Sequence, residues 1–221
     1  MVINRYFDHT LLSPDAGKLQ IKKLCDQAKA YEFYAVCVNS SYVSLAAEAL
    51  SGSDVKIAAV VGFPLGACST EAKAFEAADA CRKGAAEIDM VIQIGRLKDG
   101  DTDYVKDDIA AVVKAAADYK AAVKVILETC LLTEEEIVCG CRLAAEAGAA
   151  FVKTSTGFSN GGATREHVAL MKRTVGDSLK VKASGGIRSL QDALAMIEAG
   201  ADRIGASASV EIMKEFFAGT N

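Results

Sequence analysis

A chain of 221 residues, 51% apolar and 24% charged, is long enough to bury a large core without disulfide or metal staples. Its net charge of −4 argues against nucleic acid or an anionic membrane surface as the main partner, and no run of about 18 apolar residues is present to span a bilayer. The seven cysteines are odd in number, irregular in spacing and free of any C-x-x-C pair, and the MVINRYFDHT start lacks a basic segment followed by an apolar stretch; reduced thiols and a cytoplasmic location are therefore expected.

Short apolar runs alternate with longer Ala-rich amphipathic stretches, the pattern of βα units on a parallel sheet. In chain order it predicts a strand at 6–9, a helix at 14–31, a strand at 35–38 and a helix at 41–50. A strand at 57–61, a helix at 70–83, a strand at 87–92 and a helix at 104–119 follow. The second half repeats the alternation, with strands at 123–128, 151–156, 181–184 and 203–206 and helices at 133–147, 165–175, 190–199 and 209–217. Thr133 and Glu136 carry a capping-box signal at one helix start. Gly84, Gly148 and Gly200 each sit just past a predicted helix and just before an apolar strand, as a helix C-terminus favours. With two prolines (Pro14 and Pro64) and no Pro-, Ser- or Gly-rich linker, residues 1–221 read as one domain. Eight strands and eight helices in this length favour a closed (β/α)8 TIM barrel. An open doubly wound sheet is the alternative, and the G-x-G-x-x-G and P-loop motifs that would support it are missing.

Strands of such a barrel are packed on both sides and should be nearly continuous apolar runs. Polar residues near their C-terminal ends therefore point to a catalytic face. Lys153 and Lys182 lie on adjacent predicted strands. One such lysine could simply snorkel or pair with a carboxylate. Two repel each other, and burial further disfavours their charged forms, which favours the neutral amine that imine formation needs. Lys124, early in its strand, is expected nearer the barrel's other end in a structural role. Period-two alternation turns Glu87 and Asp89 to the same side. Asp89 needs a cationic partner there or a proton-transfer task, and the two are compatible. Asp8, His9 and Thr10 form a polar cluster at the end of the first strand, where Asp8 could orient a lysine or a substrate hydroxyl. Cys37 is expected as a small core residue or pocket wall. The other histidine, His167, falls in a predicted helix, so ligand supply argues against a catalytic metal.

Gly185 and Gly186 follow the seventh strand, and Gly205 to Ser207 end the eighth. Barrels often hold a phosphate on backbone N–H groups at these two loops, and glycine lets the backbone approach it. Ordinary turn chemistry is the competing explanation.

At these residues the sequence resembles the deoxyribose-phosphate aldolase family, which works through a lysine Schiff base. The resemblance is carried by DHTLL at 8–12, VCVN at 36–39, VVGFPLG at 60–66, EIDMVI at 87–92, KVILET at 124–129, FVKTSTGF at 151–158, KASGGIR at 182–188 and GAS at 205–207. It implies reversible cleavage of 2-deoxy-D-ribose 5-phosphate to acetaldehyde and D-glyceraldehyde 3-phosphate, with no cofactor, because the imine itself is the electron sink. The partners it implies are a small phosphosugar and aldehydes; a homodimer is left open. The family's imine-forming lysine falls on Lys153, its second lysine on Lys182 and its proton-transferring aspartate on Asp89. The candidate substrate-binding residues are Asp8, Thr10, Cys37, Thr156, Gly157, Gly185, Gly186, Gly205 and Ser207. Some members carry a second serine where this chain has Ala208, and a lysine where it has Phe158. Phosphate binding is therefore expected to lean on backbone donors. Two other readings remain: a related imine-forming barrel aldolase with another aldehyde or phosphosugar, and a non-catalytic phosphosugar-binding barrel that keeps its lysines as ion-pair partners.

Overall fold

The structure is a computed structural model, which describes residues 3–219. Eight parallel strands close on themselves in chain order: β1 (Phe7–Leu11), β2 (Ala35–Asn39), β3 (Lys56–Val61), β4 (Glu87–Val91), β5 (Ala122–Ile126), β6 (Phe151–Lys153), β7 (Lys180–Ser184) and β8 (Arg203–Ala206). Pairing of β8 with β1, Asp8 opposite Gly205, completes the ring. That pairing rules out the open sheet. The helices that return the chain are α1 (Lys18–Ala30), α2 (Val43–Ala49), α3 (Thr70–Arg82), α4 (Ile94–Lys98), α5 (Thr102–Ala117), α6 (Glu134–Glu146), α7 (Arg165–Val175), α8 (Leu190–Glu198) and α9 (Ser209–Ala218).

The elements form where local chemistry says they should. Thr133 Oγ1 accepts from Glu136 N at 3.3 Å while Thr133 N donates to Glu136 Oε2 at 2.8 Å, so the capping box starts α6. Gly84, Gly148 and Gly200 all take positive φ at the helix-to-strand joints. Four boundaries differ from expectation for identifiable reasons. A 3₁₀ turn at Ile3–Tyr6 takes Tyr6 out of β1. Gln20 Oε1 caps Gly17 N at 2.7 Å, so α1 starts at Lys18 and not at Pro14. β5 stops at Ile126 because Glu128 adopts a left-handed φ of 58°. β6 stops at Lys153: beyond it, Thr154 Oγ1 donates to the Ser184 carbonyl and Thr156 turns to Glu128. The short helix α4 was not expected, since five residues are too few to show a helical period.

Alternation along the strands sorts the side chains into two populations. Outward residues such as Phe7, Val36, Val38, Ile88, Met90, Val125, Val152, Val181 and Ile204 pack with the helices into the main apolar core. Each such fully buried side chain contributes about 1.5–3 kcal/mol. The inward apolar group is small: Leu12, Cys37, Ala58 and Val60, with Phe63 against it. Phe151, Ile126 and Val91 share the inward parity, and beside them the interior carries charge. Asp8, Glu87, Asp89, Lys124, Lys153, Lys182 and Arg203 are all buried. Charged groups are seldom buried unless paired, so the barrel's centre is a designed polar site inside an apolar shell.

Candidate active site

Register brings the charged residues together. Lys153 on β6 lies beside Lys182 on β7, and Asp89 on β4 lies beside Lys124 on β5. Asp89 is the hub. Its Oδ2 accepts from Lys153 Nζ at 2.8 Å and from Lys182 Nζ at 2.8 Å, and its Oδ1 accepts from Lys124 Nζ at 2.8 Å. Lys182 Nζ also donates to Asp8 Oδ2. Arg203 links Asp8 Oδ1, at 2.8 Å, to Glu87 Oε2, at 3.3 Å. Its guanidinium stacks over the Tyr34 ring at 3.4 Å, which explains how a planar cation is tolerated there.

The two lysines do not behave alike: the expected depression is found at Lys153 and not at Lys182. Burial lowers the Lys153 ammonium below the usual lysine value; Asp89 opposes this and Lys182 reinforces it. Burial would do the same to Lys182, but Asp8 and Asp89 flank it and push it above that value. Burial alone would raise the Asp89 carboxyl, yet Lys124, Lys153 and Lys182 together hold it well below the carboxylate range. Asp8 is held low against its own burial by Lys182, Lys124 and Arg203. The cluster is thus one amine whose charged form burial disfavours, set among fixed charges.

Lys124 does not stand where its early place in the strand suggested. It lies mid-strand and fully buried, with Nζ 2.5 Å from Glu87 Oε2 and 3.7 Å from Asp8 Oδ2, so its head joins the Asp89 cluster instead of sitting apart at the far end. The expected common orientation of Glu87 and Asp89 holds, since both accept from Lys124.

Above the cluster opens a cavity of about 380 Å³, lined by Thr10, Lys153, Thr156, Gly157, Gly185, Gly186, Gly205 and Ser207 among others. Asp8, Cys37, Asp89 and Lys182 do not line it and lie beneath its floor. The Cys37 thiol is 4.0 Å from Asp89 Oδ2, and burial raises it, so it stays protonated. His9 points away from the cavity, bonding Gln27 Oε1 at 3.1 Å and packing on the Phe33 ring. Thr10 Oγ1 donates to the Asp8 carbonyl at 2.8 Å.

Sequence reasoning missed two supporting residues. Buried Glu128 accepts from Thr156 N and Thr156 Oγ1, which fixes that wall of the cavity. The left-handed backbone that aims Glu128 gives no sequence signal in a non-glycine residue. Arg203 looked like an ordinary strand start. At the mouth, half-exposed Phe158 stands edge-on to Phe63 at 5.3 Å, and Arg188 lines the rim.

Gly205 has a structural reason beyond any ligand. A Cβ there would stand 3.0 Å from Lys182 Cε and 3.0 Å from Ser184 Cβ. Gly205→Ala is therefore expected to displace Lys182. We expect kcat to fall about tenfold or more for a stability loss of about 1–3 kcal/mol. Steady-state kinetics with a thermal melt checks this; an unchanged kcat would show that Gly205 does not set the path of Lys182.

The DeoC/LacD family aldolase model matches residues 2–215. A deoxyribose-phosphate aldolase of Streptococcus sanguinis (strain SK36) is 60% identical over 214 residues, 97% of this chain and 96% of that protein. Among solved structures, an aldolase called QR15 superposes with a TM-score of 0.94 at 41% identity, covering 99% of this chain and 97% of its own. The deoxyribose phosphate aldolase of Aeropyrum pernix, described as tetrameric, superposes with a TM-score of 0.90 at 35% identity, covering 98% and 91%.

Proposed function

The chain belongs to the DeoC/LacD family of aldolases, and from that premise we propose that it cleaves 2-deoxy-D-ribose 5-phosphate reversibly to acetaldehyde and D-glyceraldehyde 3-phosphate, holding the sugar as an imine on Lys153. The observation that carries the assignment is the position of Lys153. Of the ammonium groups around Asp89, it is the one that reaches the cavity, and the one whose neutral form burial favours. Residues 1–221 are read as the single domain that does this, in the cytoplasm. All seven cysteines are free, and among the described residues no helix is long and apolar enough to cross a membrane. A homodimer is the assembly we favour; Leu19 on α1 and Phe75 on α3 are exposed apolar side chains that a second copy could cover.

The chemistry runs as follows in the cleavage direction. The neutral Lys153 amine adds to the C1 aldehyde of the open-chain sugar, and loss of water gives a protonated imine. Acetaldehyde takes C1 and C2, so the bond that breaks is C2–C3. Its electron pair flows into the imine as the C3 hydroxyl loses its proton, leaving an enamine and releasing D-glyceraldehyde 3-phosphate. Protonation at C2 and hydrolysis then free acetaldehyde and restore the amine. Asp89 accepts protons and Lys182 returns them, through water where the distance requires it. The 5-phosphate lies at the other end of the cavity on backbone N–H groups of Gly186 and Gly205, with the Ser207 hydroxyl beside them; Thr10, Thr156, Gly157 and Gly185 shape the space between.

Borohydride trapping with acetaldehyde, followed by peptide mass spectrometry, tests the assignment. An ethyl adduct on Lys153 that requires aldehyde is the expected result. An adduct on Lys182 would exchange the lysine roles. No specific adduct on folded protein would leave a phosphosugar-binding barrel.

A further inference from the structure

Six buried side chains under Lys153 form a closed circuit of alternating charge. From Asp8 it runs to Lys182, Asp89, Lys124, Glu87 and Arg203, and from Arg203 back to Asp8, with every link an ion pair. Three carboxylates meet three cations. Lys153 is a seventh group, attached to the circuit at Asp89 Oδ2, an oxygen already shared with Lys182.

We propose that Glu87, Lys124 and Arg203 are positioning residues for the imine chemistry: they complete a ring whose charges cancel, so that a protonated Lys153 has no counter-ion of its own and rests as the free amine. The inference depends on Lys153 being the imine former. The titratable or charged groups buried in the barrel around it are Asp8 on β1, Cys37 on β2, Glu87 and Asp89 on β4, Lys124 on β5, Lys182 on β7 and Arg203 on β8; buried Glu128, just past β5, bonds Thr156 at the cavity wall and stands outside the ring. β3 contributes apolar Ala58 and Val60. Cys37 stays neutral in this setting because burial raises its thiol. Without Glu87, Lys124 and Arg203, the remaining groups would be two carboxylates and two lysines, a set that balances only with Lys153 protonated. The extra Lys124 takes Asp89 Oδ1, and Glu87 and Arg203 cancel each other. Neither Glu87 nor Arg203 bonds to Lys153 or lines the cavity. Their effect passes through the low-dielectric interior as charge.

The count predicts opposite shifts from two substitutions in the same layer. Arg203→Gln leaves the ring one charge negative, which stabilises the Lys153 ammonium. Glu87→Gln leaves it one charge positive, which destabilises that ammonium. The readout is the pH dependence of reductive trapping of acetaldehyde on Lys153 in the intact enzyme, followed by peptide mapping. The midpoint is expected to move up by about one pH unit in Arg203→Gln and down by about one unit in Glu87→Gln. Each shift is about tenfold in trapping rate at a pH below the midpoint. The double variant is neutral again and should return to the wild-type midpoint. Damage to the barrel would instead admit water and move every midpoint up, toward an ordinary lysine. Lys124→Met removes a ring cation by another side chain and replaces Arg203→Gln if that variant does not fold. Shifts in one common direction, or none, overturn the ring's role while the Lys153 adduct still forms. Absence of the adduct from the wild-type protein overturns the assignment of Lys153 itself, and the ring's role with it.

Discussion

Lys153→Ala is expected to leave a folded barrel that does not turn over. The loss should be on the order of 10⁴- to 10⁶-fold, the scale seen when a covalent nucleophile is removed. Among the described residues that line the cavity, no other carries an amine that could take over the step. Lys182 and Lys124 are fully buried, and both are held charged by carboxylates against the pull of burial. An ammonium has no lone pair to add to an aldehyde. Lys153→Arg should fail equally, since its guanidinium stays protonated. The fold should tolerate either change. Asp89 keeps Lys124 and Lys182, so removing Lys153 leaves no carboxylate unpaired. Release of D-glyceraldehyde 3-phosphate, read by a coupled assay beside a thermal melt, checks both halves. Activity within tenfold of wild type would remove Lys153 from the mechanism.

Most of the frame that holds this lysine is legible in the sequence. A barrel strand has to be apolar on its outward side, and residues such as Ile88, Met90 and Val152 announce it. A glycine at a helix end has a conformational reason that survives without an alignment, as at Gly148. The side on which a strand residue lies follows from parity, so Glu87 and Asp89 could be placed together. What parity does not give is reach. Lys124 and Arg203 sit at or before the middle of their strands, and their long side chains carry the charge across the interior to partners on other strands. A position along the chain locates a Cα, whereas an ion pair is decided several bonds further out. The same gap explains the lysines. Two ammoniums on neighbouring strands suggest mutual depression, but the carboxylates between them divide the pair into a Lys182 held charged and a Lys153 whose ammonium burial disfavours, and Asp8 comes to that division from β1. Glu128 was hidden for another reason: its role depends on a left-handed backbone that its residue type does not advertise.

Asp89→Asn should damage both stability and catalysis, by separable routes. Three lysine amino groups converge on this carboxylate, two of them the charged Lys124 and Lys182, and neither of its oxygens is free. Removing one partner of a buried ion pair costs about 3–5 kcal/mol, because the charge left behind keeps its desolvation penalty. For a chain of this size that is a fall in Tm of roughly 10 °C. Since the fold holds this carboxyl well below its usual range, its contribution is complete above about pH 4 and fades as pH falls toward the folded-state value. The gap between wild-type and variant melts should therefore close in acid, not in base. Turnover should fall about 10²- to 10⁴-fold, the size of a lost proton-transfer group. Adding Lys124→Met separates the two effects. That double variant removes one positive charge along with the negative one, so much of the lost Tm should return. Its turnover should not, because an amide in place of Asp89 cannot accept the proton that leaves the C3 hydroxyl. Recovery of both together would mean that Asp89 serves the reaction only by balancing charge; recovery of stability alone gives it the proton as well.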